Sequence, residues 1–325
     1  MTSPTTTTTL RLIALSALLA AAQACAAPPR AEVRQADARA HTVAAAPKKK
    51  VLVIGVDGVR VDVMRSLHLP HIDALIASGV LSDAQARMPT VSGPGWSSIL
   101  TGVWSDKHGV KDNSFVGKNY AAYPDFLTRL ERLDPKFSTF AALDWPPLGS
   151  ALDGGPLVSD SVDVKVLFNG DRLGYPEADA RSVAAAAYFL AQENPDAAFV
   201  YIGNVDEVGH QVGPLTPQYR AALGDVDKYV GRLVDAIRSR PTYGEEDWLI
   251  LMSTDHGHRD AGGHGGPSAV ELTSFFLASG PSVARARPAT QPDIVDVAVT
   301  ALTHLGVAID PAWHLDGKAV GLVRP

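Results

Sequence analysis

The 325-residue sequence has only one cysteine, Cys25, and therefore no second thiol with which it could pair. This excludes an internal disulfide and any metal site built on several thiolates. Basic residues are also scarce, because 29 lysines and arginines stand against 35 acidic residues, for a formal net charge of −6. The one basic run lies at residues 48–50, so we expect no role as a nucleic-acid scaffold. The chain is long enough to bury a large core, and 46% of its residues are hydrophobic.

The first 24 residues have the pattern of a signal peptide. Arg11 precedes an apolar run at residues 12–20, and Ala22 and Ala24 supply the small residues of a cleavage site. That run is too short to span a membrane as a helix. We therefore expect an exported protein, either periplasmic or extracellular. Because Cys25 directly follows the proposed cleavage site, lipid modification of this cysteine stays open beside simple export.

The rest of the chain divides into a tether and one domain. Residues 25–48 are rich in Ala, Pro and Arg without a hydrophobic period, which predicts a disordered tether. Residues 49–325 alternate strand and helix patterns, which predicts an α/β domain with a mostly parallel central sheet and helices on both faces. Residues 144–175 interrupt this alternation and are predicted to form either a small cap over the site or a long surface loop. The predicted strands are 51–56, 80–86, 137–142, 198–202, 248–252 and 273–278, and the predicted helices are 69–78, 93–102, 124–133, 176–192, 217–238 and 293–305.

Acidic and histidine side chains follow three of the predicted strands. Asp57 comes directly after the first strand, Asp206 and His210 follow the strand at 198–202, and Asp255 with His256 follows the strand at 248–252. In open α/β sheets, ligands bind outside the carboxyl ends of the strands. We therefore expect these side chains to meet at one edge of the sheet.

Two further residues complete a set of candidate metal ligands. His264 lies in a glycine-rich loop, and Ser92 stands at the start of a predicted helix, where its alternative role is that of an ordinary N-cap. His258 is close enough in sequence to replace His264. Carboxylates and imidazoles without thiolates suit zinc, with manganese or iron as alternatives. Seven donors exceed one tetrahedral site, so the sequence predicts a two-metal hydrolase; the donors are Asp57, Ser92, Asp206, His210, Asp255, His256 and His264.

The order of these motifs resembles the alkaline phosphatase superfamily, and within it the type I phosphodiesterase and nucleotide pyrophosphatase branch. The similar motifs are Pro89-Thr90-Val91-Ser92, Thr101-Gly102, His108-Gly109 with Asn113, Asp206-Glu207-Val208-Gly209-His210, Asp255-His256-Gly257 and His264-Gly265. The resemblance implies that Ser92 is the nucleophile and forms a phosphoseryl intermediate. It also implies one zinc ion on Asp57, Ser92, Asp255 and His256, and a second zinc ion on Asp206, His210 and His264.

The resemblance extends to the residues that contact substrate. It implies that Asn113 donates to a nonbridging phosphoryl oxygen. The position after the nucleophile is often aromatic in this branch and forms one wall against a nucleotide base, whereas here it is Gly93. Tyr201 matches the other wall. Half of a base clamp is therefore missing, although we expect a small phosphodiester or nucleotide-like substrate.

Three functions follow from this interpretation. The first is a phosphodiesterase or pyrophosphatase, and the second is a phosphomonoesterase on the same metals. A monoesterase would need cationic contacts for a dianionic phosphoryl group, and no Arg or Lys lies inside the motifs. The third is a noncatalytic metal-binding protein that retains the fold, and the intact set of donors speaks against it.

Overall fold

The structure is a computed structural model, and it describes residues 46–323. The predicted signal peptide, Cys25 and nearly all of the predicted tether lie outside the described residues. The first strand begins at Lys48, so the folded domain starts one residue earlier than the sequence suggests. Within residues 46–323, no helix is both long enough and apolar enough to cross a membrane.

A seven-stranded sheet forms the centre of the domain and runs in the order β2-β7-β6-β1-β5-β3-β4. Strand β7 pairs antiparallel with both β2 and β6, while every other pairing is parallel. This confirms the predicted mostly parallel sheet. The strands are β1 (Lys48–Val56), β2 (Gly79–Gln85), β3 (Thr139–Leu143), β4 (Val164–Leu167), β5 (Ala197–Ile202), β6 (Glu246–Ser253) and β7 (Thr273–Ser279).

Helices cover both faces of the sheet, as predicted, because the central strands are apolar on both sides. In β1, Val51 and Val53 belong to one hydrophobic core, and the alternating Leu52 and Ile54 belong to the other. The helices are α1 (Val61–Arg65), α2 (Pro70–Ala77), α3 (Ser92–Thr101), α4 (Ser105–His108), α5 (Phe126–Leu133), α6 (Pro146–Gly149), α7 (Gly170–Leu173), α8 (Tyr175–Gln192), α9 (Asn204–Val212), α10 (Pro217–Arg238), α11 (Ala269–Leu272) and α12 (Asp296–His304).

Each face has its own set of helices. Helices α3, α5 and α12 pack on one side, where Trp96 of α3 is fully buried and belongs to the same hydrophobic core as residues of α12. Helices α2, α8 and α10 pack on the other side, where Leu223 and Val230 of α10 join the second core. The turn after α3 is made by Gly102, whose φ of 74° is the left-handed conformation that commonly ends a helix.

The segment at 144–175 is less irregular than its composition suggests. It contains α6, α7 and the strand β4, which pairs with β3 at the edge of the sheet. It also contributes Trp145, Asp171 and Tyr175 to the wall of the cavity described below. The segment is therefore part of both the sheet and the cavity wall.

Candidate active site

The three strands that precede acidic residues are direct neighbours in the middle of the sheet. Strand β1 pairs with β6 on one side and β5 on the other. Asp57 follows β1, Asp255 and His256 follow β6, and α9 with Asp206 and His210 follows β5 after a single glycine, Gly203. Parallel neighbours end at the same edge, so the side chains that the sequence predicts to meet do meet there.

Ser92 faces the group formed by Asp57, Asp255 and His256. Its hydroxyl oxygen lies 3.2 Å from Nε2 of His256 and 3.4 Å from Oδ1 of Asp57. Nε2 of His256 is also 3.1 Å from Oδ2 of Asp255 and 3.6 Å from Oδ1 of Asp57. All four side chains are buried, so a hydroxyl, two carboxylates and an imidazole converge at one point.

Ser92 does not cap helix α3, so the alternative prediction that it is an ordinary N-cap is wrong. The helix begins at Ser92 itself, and the preceding Val91 occupies the N-cap position without a side-chain cap hydrogen bond. The hydroxyl is directed to Asp57 and His256 instead of to a backbone N–H. It is therefore available for chemistry.

Two aromatic side chains hold the carboxylate of Asp57. The indole Nε1–H of Trp96 donates to Oδ2 at 2.8 Å, and the hydroxyl of Tyr201 donates a short hydrogen bond to the same oxygen. Because Oδ2 has two donors, Oδ1 is the oxygen left to face Ser92. The polar atom of a buried Trp or Tyr usually makes a hydrogen bond. Trp96 was therefore a candidate partner for a site residue that the sequence pattern did not bring out.

The contact with Asp57 changes the role of Tyr201. Its side chain touches the cavity, yet only 2% of the residue is exposed, and its ring packs edge-on against Trp96 with centroids 5.1 Å apart. A ring that is covered on its faces cannot stack on a nucleotide base. The prediction of an aromatic wall at Tyr201 is therefore wrong. In the structure, the hydroxyl of Tyr201 instead helps to orient the carboxylate of Asp57.

The second group of donors is formed by α9 and the glycine-rich loop. Asp206 and His210 are four residues apart in α9 and therefore share one face of the helix. His210 Nε2 lies 3.4 Å from Oδ2 of Asp206 and 2.9 Å from Nε2 of His264. His264 Nε2 lies 3.6 Å from Oδ1 of Asp206. Two ring nitrogens and a carboxylate thus face a common point.

Backbone contacts define which nitrogen of two histidines is free. Nδ1 of His264 lies 2.7 Å from the carbonyl oxygen of Thr90, and Nδ1 of His256 lies 3.2 Å from that of Gly257. A carbonyl oxygen accepts only, so each Nδ1 carries the proton and each Nε2 presents its lone pair to the site. Metal-binding histidines are typically held in this way.

His258 is held differently, although it lies in the same loop. Its Nε2 is 2.8 Å from Oδ1 of Asp206, so it donates to that carboxylate and has no lone pair there for a metal. His264, whose Nε2 presents a lone pair, is therefore the better candidate ligand of the two.

Asn113 is fixed next to Ser92 through the backbone of Gly93. The amide oxygen of Asn113 accepts the N–H of Gly93 at 2.7 Å, which turns its NH₂ group away from that bond and leaves it free as a donor. Asn113 lines the same cavity as Ser92.

A Cβ on Gly93 would lie 2.6 Å from the backbone oxygen of Asp112. The position after Ser92 thus has no room for a side chain, which explains why it offers no aromatic wall.

The titration of these groups reflects their burial and crowding. Burial, and then the charge of Asp206, raises the pKa of Asp57 to about 6. Burial and the charges of Asp57 and Asp206 raise the pKa of Asp255 well above its usual range. Burial lowers the pKa of His256 and that of His264 to about 4 each, so both rings are neutral at pH 7. Crowded carboxylates beside neutral imidazoles form a site that a cation would stabilise.

The donor set fits metal ions by geometry as well as by charge. The ligand atoms of Asp57, Asp255 and His256 lie within 4.8 Å of one another, as do those of Asp206, His256 and His264. Oδ2 of Asp255 is buried and accepts no hydrogen bond from the described residues, which is costly for a carboxylate oxygen unless a cation binds it. Oxygen and imidazole ligands without thiolate suit zinc, manganese or iron.

A cavity of about 220 Å³ opens over both groups. Five of its residues were not predicted as site residues from the sequence, namely Trp145, Asp171, Tyr175, Gly203 and Glu207, and of these only Glu207 lies within one of the motifs. No Lys or Arg is among the described residues that line it. The lining residues are Asp57, Ser92, Asn113, Trp145, Asp171, Tyr175, Tyr201, Gly203, Asp206, Glu207, His210 and His264.

Comparison with known proteins relates this site to one family. The sequence model of the type I phosphodiesterase / nucleotide pyrophosphatase family matches residues 51–139 and 156–304. These ranges include every candidate ligand as well as Asn113. The gap at 140–155 falls in the segment around α6.

Individual relatives are distant. The chain is 23% identical over 221 residues to human ectonucleotide pyrophosphatase/phosphodiesterase family member 5, and 25% identical over 240 residues to bovine bis(5'-adenosyl)-triphosphatase ENPP4. These matches cover 65% and 67% of this chain, but 45% and 49% of the relatives, so the chain spans about half of their length. The solved structure of murine ectonucleotide pyrophosphatase/phosphodiesterase 5 superposes with a TM-score of 0.63 at 17% identity, over 81% of this chain and 96% of that chain. The superposition shows a shared alkaline phosphatase-like fold.

Proposed function

The chain belongs to the type I phosphodiesterase / nucleotide pyrophosphatase family, and we propose on this basis that it hydrolyses phosphodiester or pyrophosphate bonds with Ser92 as the nucleophile. The observation that carries the proposal is the position of the Ser92 hydroxyl, which is buried between His256 and Asp57 and does not cap its helix. A serine with only a structural role would be expected to use its hydroxyl locally, on the backbone.

The residues that would hold two metal ions form the two groups described above. Asp57, Ser92, Asp255 and His256 would bind one ion, and Asp206, His210 and His264 would bind the other. We expect zinc, with manganese or iron as the alternatives. When bound, such ions act as Lewis acids on phosphoryl oxygens and lower the pKa of a neighbouring hydroxyl.

The protein side chains then have separate tasks in the reaction. The Ser92 oxygen attacks phosphorus in line and displaces the alcohol or phosphate leaving group, which forms a phosphoserine. Water hydrolyses that ester in a second step and restores the hydroxyl. The free NH₂ group of Asn113 donates to a nonbridging oxygen as negative charge develops there. The start of α3 directs the positive end of its dipole toward the same oxygens.

The charges of the cavity favour diesters over monoesters. A phosphomonoester carries close to two negative charges at neutral pH, and a cavity that binds it would be expected to offer Arg or Lys. The described lining has neither, and it adds Asp171 and Glu207 to the acidic ligands. A phosphodiester carries a single negative charge, so it needs less positive charge from the protein side chains. A noncatalytic role is disfavoured because, among the described residues, the buried hydroxyl of Ser92 contacts only the candidate metal ligands Asp57 and His256 and does not cap its helix.

The nucleotide preference of the substrate is a separate matter. One relative is named for its action on bis(5'-adenosyl) triphosphate, and this supports a small nucleotide-like phosphoester as the substrate class. In this chain neither Gly93 nor Tyr201 offers a face to a base, and the other aromatic residues of the cavity wall are Trp145 and Tyr175.

We also propose that the enzyme acts outside the cytoplasm. This rests on the apolar run at 12–20 and the small residues before Cys25.

The proposed function is tested by comparing two chromogenic substrates. Zinc-loaded protein should hydrolyse bis(p-nitrophenyl) phosphate faster than p-nitrophenyl phosphate. A preference for the monoester would show that the assignment to diesters is wrong. No hydrolysis of either substrate by folded, metal-loaded protein would favour the noncatalytic alternative.

A further inference from the structure

His258 is buried against the ligand groups without being one of the proposed ligands. Its side chain has no exposed surface, and its ring lies 5.2 Å from that of His210 and 5.3 Å from that of His264, measured between centroids. Its one hydrogen bond from a ring nitrogen goes to Oδ1 of Asp206, at 2.8 Å. Nδ1 has no partner among the described residues. The ring thus has a single polar contact, and that contact is to a candidate metal ligand.

The bond determines which part of Asp206 is available to a metal. A carboxylate oxygen only accepts, so Nε2 of His258 carries the proton and donates to Oδ1. The other oxygen, Oδ2, lies 3.4 Å from Nε2 of His210. With Oδ1 held by His258, the carboxylate cannot rotate freely about its χ2 angle. Oδ2 therefore stays directed toward His210, and Oδ1 stays 3.6 Å from Nε2 of His264.

The absence of a side chain at two glycines makes space for the imidazole of His258. A Cβ on Gly209, which precedes His210 in α9, would lie 2.6 Å from Nε2 of His258. A Cβ on Gly58, which follows Asp57, would lie 2.7 Å from the same nitrogen and 2.4 Å from Oδ1 of Asp206. Helix α9 and the turn after β1 thus both lack a side chain at the point where the bond between His258 and Asp206 is made.

The main chain of His258 is held as well. Its carbonyl oxygen accepts from the guanidinium of Arg60 at 3.1 Å, and Arg60 pairs with Asp260 at 2.7 Å. The donor is therefore fixed at its backbone and at its ring, as a residue that sets the direction of another side chain has to be.

We propose that His258 is a positioning residue, whose Nε2–H fixes the carboxylate of Asp206 in the direction required for the metal ion held by Asp206, His210 and His264. The inference rests on the metal site of the proposed function. Hydrogen-bond partners that orient a metal ligand typically contribute about 10–100-fold to metal affinity. The effect is confined to one of the two metal ions, because His258 contacts none of Asp57, Ser92 or Asp255 by a hydrogen bond.

The test measures zinc affinity directly, by titrating metal-free protein with zinc against a chromophoric chelator. His258→Met removes the donor and replaces the imidazole with an apolar side chain of similar length. One zinc equivalent should bind as in the unmodified protein, and the other should bind about 10–100-fold more weakly. His258→Gln places an amide NH₂ near the position of Nε2, and it should restore much of the lost affinity.

His304→Met is the matched control. His304 is also buried, with Nε2 bonded to a backbone oxygen, that of Asp247, at 2.9 Å and with Nδ1 unpartnered among the described residues. This variant loses the same chemical group in a similar environment, away from the candidate ligands. It should lower stability without changing either zinc affinity.

The outcomes separate the inference from the proposed function. If the unmodified protein fails to bind two equivalents, the two-metal site itself is wrong. If it binds two, and His258→Met binds both with unchanged affinity, His258 does not position Asp206. Equal weakness of the Met and Gln variants would also overturn the inference, because ring shape and not the donor would be responsible. Should His258→Met fail to fold, His258→Asn replaces it, because its shorter amide does not reach Asp206; affinity equal to that of His258→Gln would overturn the inference.

Discussion

Nε2 of His256 lies 3.2 Å from the hydroxyl oxygen of Ser92 and presents a lone pair to it, because Nδ1 of the same ring is bonded to the carbonyl oxygen of Gly257. This relationship places a potential nucleophile directly beside a potential metal ligand. Asp57 approaches the same hydroxyl from β1 at 3.4 Å. Two neighbouring strands therefore define the environment of one serine.

Asn113 provides a first prediction about turnover. Its amide is held by the N–H of Gly93, and its NH₂ group is proposed to donate to the phosphoryl group. Asn113→Ala should lower kcat about 10²–10³-fold, which is typical for the loss of one donor to a developing oxyanion. Zinc content should stay at the level of the unmodified protein. An unchanged kcat would remove Asn113 from the mechanism.

Tyr201 provides a second prediction, which separates two roles for one side chain. Tyr201→Phe keeps the ring and removes the hydroxyl that donates to Asp57. Loss of a hydrogen bond to a charged group should lower the free energy of unfolding by about 1.5–3 kcal/mol. Activity should fall by the same factor for a nucleotide substrate and for bis(p-nitrophenyl) phosphate. A loss restricted to the nucleotide substrate would restore the role of Tyr201 as a wall against a base.

Metal removal provides a third prediction. The carboxylates of Asp57 and Asp255 are buried and close together, and burial and neighbouring negative charges raise the pKa of each. Chelation should therefore abolish hydrolysis and lower the melting temperature. A site saturated at 100 times its Kd adds about 2.7 kcal/mol to stability by mass action.

Zinc should restore both properties with about two equivalents per chain, as measured by elemental analysis and a thermal melt. Full activity after exhaustive chelation would contradict the metal-dependent account. Recovery with one equivalent would contradict the two-metal account.

The buried pair of Arg240 and Glu246 provides a prediction for pH. Burial alone would raise the pKa of Glu246, but hydrogen bonds from Arg240 and Trp248 outweigh it and lower the pKa from 4.5 to about 2. A lowered pKa means that the unfolded chain binds the proton more readily, so the pair stabilises the fold above about pH 4.5. That contribution should be lost as the pH falls toward 2, and it should be on the order of 3 kcal/mol.

The measurement is urea unfolding of metal-free protein between pH 6 and pH 3, with Glu246→Gln as the control. The difference in unfolding free energy between the two proteins should shrink as the pH falls. A difference that stays constant would show that Glu246 has an ordinary pKa in the folded protein.

The central strands and their order along the chain were predictable because they are apolar on both faces. Residues 51–56 are a continuous buried run, and the structure places them in β1 between two similar strands. Strand β4 was not predictable, because Val164–Leu167 has only four residues, includes a lysine, and lies half-exposed at the edge of the sheet. Edge strands have a weaker apolar pattern than central ones.

Six of the seven candidate ligands were predictable for a related reason, since each follows a strand or lies in a loop too rich in glycine to form a core, whereas Ser92 stands at the start of a helix. The orientation of their atoms was not predictable. The choice between His258 and His264 depends on which ring nitrogen is free, and for His264 this depends on Thr90, 174 residues earlier in the sequence. The hydroxyl of Tyr201 likewise finds Asp57 only through the packing of β5 beside β1.

The central claim is that Ser92 is the nucleophile, and it is tested most directly by the rate of bis(p-nitrophenyl) phosphate hydrolysis by zinc-loaded Ser92→Ala. Because the hydroxyl caps no helix, this variant should fold with little loss of stability, yet its rate should fall by orders of magnitude, since the covalent step needs the oxygen. Ser92→Thr retains a hydroxyl and should keep part of the rate. Near-normal turnover by a folded, zinc-loaded Ser92→Ala protein would contradict covalent catalysis and would favour direct attack by water.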